Sequence, residues 1–124
     1  MVHESKRTAS ISFFSEKLQK IVSGPHPATL HFFEHDYDVQ RKFWYGIADV
    51  ACTLDVIDRD AQNAGLSLPA GSQHNIQSFD LVVYLDDGRF GSAKCLSWSD
   101  YFGPTTTNYL EITFTGVTKL QQQP

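Results

Sequence analysis

The chain has 124 residues, 41% hydrophobic and 19% charged, with a mean hydropathy of -0.28 and a net charge of -4 from 10 Lys and Arg against 14 Asp and Glu. That length holds one core, since two halves would each bury too little surface to stand alone. The acid excess argues against the cationic face that non-specific nucleic-acid binding needs, and no run of about 18 apolar residues is present to cross a membrane as a helix.

Residues 1–10 are polar and read as a mobile leader without the apolar centre of a targeting signal. Residues 11–24 read as one flanking helix. Phe14, Leu18, Ile21 and Val22 fall on one face at helical spacing, Ser12 offers an N-cap, and Gly24 with Pro25 and Pro27 stops it. Three turns are marginal alone in water, so this stripe must dock on something.

Residues 28–118 read as a single β-rich domain. Ala28 to His35 has strand composition, and Asp36 to Gln40 is turn-like. Lys42 to Asp55 fits a strand through Phe43, Tyr45, Ile47 and Val50. It also fits a helix through Ile47, Val50, Ala51 and Leu54, and periodicity leaves both open. Residues 59–65 read as a loop, and Leu66 to Ile76 as loop-rich chain with Pro69 and Gly71. Phe79 to Leu85 and Phe90 to Trp98 are strands joined by the turn Asp86-Asp87-Gly88, and Gly103-Pro104-Thr105 is a second turn. Tyr109 to Val117 alternates, with Leu110, Ile112, Phe114 and Gly116 on one side and Glu111, Thr113 and Thr115 on the other, the mark of a half-buried antiparallel strand. Residues 119–124 are a polar tail. The aromatic content, 13%, also favours sheet. The expected fold is mainly β, at the margin of α+β: a small six-stranded antiparallel barrel with one N-terminal flanking helix.

His31, Glu34 and His35 match the H-x-x-E-H pattern of inverted zinc peptidases, whose chemistry needs two imidazoles one helical turn apart. On a strand the two rings stand roughly 13 Å apart, so no metal site is expected. Asp80, Asp86 and Asp87 suit a hairpin, and Asp55, Asp58 and Asp60 lack the ordering of a calcium loop. No nucleophile elbow, dinucleotide loop or phosphate loop is present, so an enzyme is not expected. Cys52 and Cys95 read as reduced, buried, small hydrophobes in a cytoplasmic protein. Of the run Phe43-Trp44-Tyr45, alternation on a strand buries either the outer two or the middle one, and the rest form a partner-binding patch with Phe32, Phe33 and Tyr37.

The segment Asp60-Ala-Gln62-Asn63-Ala-Gly65, followed by Leu66-Ser-Leu68, resembles the D/N-x-S-x-x-G loop of PilZ domains. Phe79 to Leu85, Phe90 to Trp98 and Tyr109 to Val117 resemble the later strands of that family, so the resemblance spans residues 41–118. It implies a six-stranded barrel that binds cyclic di-GMP through an R-x-x-x-R stretch and the Asp/Ser/Gly loop. The implied ligand-binding residues here are Arg41, Lys42, Asp60, Gln62, Asn63 and Gly65. Arg forks meet phosphate oxygens, and a glycine lets backbone approach the base. The chain departs from the pattern at Tyr45, where the second Arg belongs, and at Gln62, where Ser is usual. The resemblance therefore implies a bacterial regulatory or adaptor binding domain that holds cyclic di-GMP weakly, or a protein partner instead, with no cofactor.

Phe43-Trp-Tyr-Gly-Ile-Ala-Asp49-Val50-Ala-Cys-Thr-Leu54 also resembles the opening of phage Bro-N antirepressor domains, which implies a helix starting near Asp49-Val50 and a DNA-associated role. A further alternative rests on charge: an acidic protein that neutralises a basic partner such as a toxin.

Overall fold

The structure, a computed structural model, describes residues 2–36, 42–67, 76–101, 109–116 and 121–122. In chain order these form β1 (Val2–Ser15), β2 (Lys20–Asp36), β3 (Lys42–Val50), α1 (Leu54–Asn63), a turn of 3-10 helix (Ile76–Ser78), β4 (Asp80–Leu85), β5 (Arg89–Tyr101), β6 (Tyr109–Gly116) and β7 (Gln121–Gln122). Every pairing is antiparallel, in the order β4-β1-β2-β3-β6-β5, and β4 also pairs with β5. That last pairing closes a six-stranded barrel, as the alternating sequence leads one to expect.

The helix of this barrel is not the one expected. Residues 11–24 are a β-hairpin: Phe13 faces Ser23, Phe14 faces Ile21, Ser15 faces Lys20, and Gln19 takes a positive φ of 55° in the turn. The Ser15 hydroxyl accepts from the Leu18 amide at 3.1 Å to brace that turn. As a strand, β1 exchanges backbone hydrogen bonds with β2 and with β4, and it sends Ile11 and Phe13 into the core. A lone helix of the same residues offers neither ladder. The polar segment 2–10, expected as a leader, is the first part of β1 and pairs with residues 27–35. In the tail, Gln121 and Gln122 pair with Phe90 and Arg89. The turn expected at residues 103–105 lies outside the described residues.

The 42–55 segment resolves as extended chain. β3 runs to Val50, and the helix begins only at Leu54, so Asp49 and Val50 are strand residues rather than the start of a helix. Trp44, Gly46, Ala48 and Val50 face inward, where Trp44 packs edge-on against Phe114 at 5.4 Å. Phe43 and Tyr45 consequently face outward.

Topology explains α1. In the closed order, β3 and β4 stand on opposite sides of the barrel. The chain between them must cross one open end. α1 covers that end with Leu54, Ile57 and Ala61, all buried. Burial of Leu54 and Ile57 stabilises the cover by roughly 1.5–3 kcal/mol each. Thr53 caps it, its hydroxyl accepting from the Val56 amide at 3.4 Å. The Asp86-Asp87-Gly88 turn forms as expected between β4 and β5, with Gly88 at φ 91°. Arg7 clamps it from β1, 2.8 Å from Asp86 and 2.9 Å from Asp87.

Candidate functional site

Residues 59–65 are not a loop. Asp60, Gln62 and Asn63 lie in the last turns of α1. Gly65 follows the helix with φ 99°; its amide donates to the Gln62 carbonyl at 3.0 Å, and the Leu66 amide donates to Ala61 at 3.0 Å. This pair of bonds is the Schellman stop, which explains the glycine by backbone conformation alone. Gln62 and Asn63 are exposed on the helix surface. Asp60 turns inward to β2, where Ser23 lies near the start of the strand. Lys42, in contrast, pairs with Asp36 at the end of β2, roughly 40 Å of extended chain away. Lys42 and Asp60 therefore stand at opposite ends of the sheet, and Arg41 lies outside the described residues. Of the five implied residues that are described, Lys42 stands apart from Asp60, Gln62, Asn63 and Gly65.

Asp60 instead completes a polar cluster that local sequence patterns do not reveal. The Ser23 hydroxyl donates to Asp60 Oδ2 at 2.7 Å, and Ser23 Oγ lies 2.8 Å from His26 Nε2. With its single proton given to the carboxylate, Ser23 accepts the Nε2 proton of His26. The Cys52 thiol lies 3.7 Å from the same nitrogen and donates to the Thr53 carbonyl at 3.4 Å. Burial lowers the pKa of His26, opposed by the charge of Asp60. Burial also pushes the Cys52 thiol up to about 11. An imidazole that already holds a proton on the nitrogen facing both hydroxyl and thiol offers neither one a base there. The cluster ties α1 to the β1–β2 hairpin. Among the described residues, no three His, Cys, Asp or Glu side chains are placed to hold a metal ion. His31 to His35 lie in β2 as extended chain.

The larger surface feature is the outer face of β2, β3, β6 and β5. Register aligns it in rows: Phe33, Tyr45 and Thr115; then His31, Ile47, Thr113 and Ser97; then Thr29, Asp49, Glu111 and Ser99; then Tyr109 beside Tyr101. Phe33 stacks on Tyr45 at 5.2 Å, and Tyr45 on Phe43 at 5.8 Å. His31 adds its ring 5.3 Å from Phe33. Ile47 is 44% exposed and Tyr45 38%. At the other end of the face, Tyr101 and Tyr109 stack at 4.8 Å with an interplanar angle of 8°. The Tyr109 phenol is held above its ordinary pKa by desolvation, then by the charges of Asp49, Tyr101 and Glu111. Of the rings expected in a partner-binding patch, Phe43, Tyr45 and Phe33 form a stacked outward row, Trp44 and Phe32 fill the core, and Tyr37 lies outside the described residues.

Comparison with protein-family models, with curated proteins and with solved structures finds no match.

Proposed function

We propose that this chain is a binding domain of the regulatory or adaptor kind, and that it works by docking a protein partner on the outer face of β2 and β3. The observation that carries this reading is the stacked row Phe33–Tyr45–Phe43 beside exposed Ile47. Aromatic rings cost water to solvate and little entropy to fix, so they dominate interface energetics. The barrel interior is filled by Trp44, Phe13, Phe32 and Phe114, which turns recognition to the outside. The cyclic dinucleotide alternative has less support, because Asp60 is engaged by Ser23 and Gly65 serves a helix stop.

The test uses a photo-crosslinking phenylalanine derivative at position 45 in extracts of the source cells. We expect one discrete protein adduct, identified by mass spectrometry and reproduced with the purified partner. Binding to that partner should fall on Phe33→Ser. Calorimetry with cyclic di-GMP at high micromolar concentration should give no heat. Saturable heat, or partner binding indifferent to Phe33 and Tyr45, would overturn the reading.

A further inference from the structure

The row below Ile47 places two like charges side by side. Asp49 on β3 is the direct register partner of Glu111 on β6, both on the outer face. Directly opposed side chains have Cβ atoms about 5 Å apart, and like charges there repel. Among the described residues neither carboxylate is ion-paired. The flanking lysines stand farther off in the register: Lys6 lies two strands from Ile47 in the adjoining row, and Lys94, opposite Thr115, is bound to Asp80. Above the pair stand Ile47 and Tyr45, and below it the stacked Tyr101 and Tyr109. The face is therefore an acidic notch between two apolar, ring-bearing ledges, in a chain of net charge -4.

We propose that this face receives a basic segment of the partner, with one Arg or Lys seated between Asp49 and Glu111 and a neighbouring apolar side chain on Tyr45 and Ile47. The inference rests on the docking function proposed above and names the chemistry of the partner. A guanidinium spans two carboxylates at this spacing with its fork of donors, and it stacks on a phenol ring. Seating a cation there replaces a repulsion by two attractions, which makes the notch selective for positive charge rather than merely tolerant of it. Successive residues on one face of a strand are two apart in sequence and about 7 Å apart, so a partner strand with a basic residue flanked two positions away by apolar residues matches the rows in step.

The probe is a capped pentapeptide, Ile-Ser-Arg-Ser-Ile, whose Arg and two Ile share one face when extended, titrated into the isotopically labelled protein and followed by amide shifts. The control peptide carries Glu in place of Arg. We expect shifts centred on Tyr45, Ile47, Asp49, Glu111 and Thr113. Affinity should weaken about tenfold when salt rises from about 20 to about 300 mM. It should weaken at least about tenfold in the double variant Asp49→Asn, Glu111→Gln. No binding of the Arg peptide at millimolar concentration, equal binding of the Glu peptide, shifts centred elsewhere, or indifference of the double variant would each overturn the inference. If an adduct still forms at position 45 in those cases, the docking function stands and only the basic character of the partner falls. Loss of the adduct together with peptide binding removes both.

Discussion

The indole of Trp44 occupies the space that a side chain at Gly116 would need: a Cβ built on Gly116 lies 2.6 Å from Nε1. The two residues are direct register partners on β3 and β6. Trp44 is only 2% exposed, so its ring cannot swing outward without leaving the core. Gly116→Ala should therefore cost about 1–3 kcal/mol in urea unfolding, and Gly116→Val more. Trp44→Ala alone should cost about 3–5 kcal/mol. The pair should be strongly non-additive, because Gly116→Ala costs little once the indole is gone. Additive costs would show that the ring does not fill that space.

Acid should loosen the joint between α1 and the hairpin. The pKa of His26 is depressed in the folded chain, chiefly by burial. Its contribution to stability is complete above the unfolded value near 6.5 and is lost as pH falls through the lower folded value. The urea midpoint should thus decline as pH falls below about 6.5, and His26→Gln should flatten that decline. Asp87, lowered first by the Arg89 amide, adds a second loss further into acid, as pH falls through its depressed folded value. A midpoint that rises on acidification would contradict the assignment for His26.

Ser23 holds that joint. It is buried and carries the proton that reaches Asp60. Ser23→Ala leaves the imidazole proton and the carboxylate without their shared partner, at a cost of about 1–3 kcal/mol. Hydrogen exchange should then quicken in α1 more than in β6. Uniform acceleration across the barrel would argue against a local latch.

Both cysteines should be sluggish nucleophiles. Burial pushes Cys52 and Cys95 up to about 11, and both thiols are buried and free. Alkylation at pH 8 should proceed at the rate of unfolding and speed up sharply in denaturant. Rapid labelling of either thiol in the native protein would refute the burial argument.

On the outer face, Asp49→Asn should raise the melting temperature slightly, since it removes the repulsion from Glu111, worth about a few tenths of a kcal/mol at an exposed site. The gain should shrink in high salt. A loss of stability would mean that the two carboxylates are not in conflict.

The sequence alone determined the elements whose pairing is local. Leu110, Ile112, Phe114 and Gly116 alternate toward the core as their spacing requires, and Asp86-Asp87-Gly88 turns β4 into β5. Those patterns suffice because a period of two residues and a positive φ act within a few residues. Closure of the barrel decided the rest. Phe14, Leu18 and Ile21 carry helical spacing, yet they fall in β1, its turn and β2, because β2 and β4 both need the backbone groups of β1 and no local signal reports that need. Residues 59–65 carry loop composition, yet 59–63 belong to the helix α1, because chain leaving β3 for the opposite side of the barrel must cover an open end with Leu54, Ile57 and Ala61. The same closure turned Trp44 inward over Gly116 and left Phe43 and Tyr45 outside, a choice that alternation permits in either sense. It also drew Ser23, His26, Cys52 and Asp60 together from three separate segments. Side-chain chemistry was written in the sequence, but which groups meet was set by the order of strands.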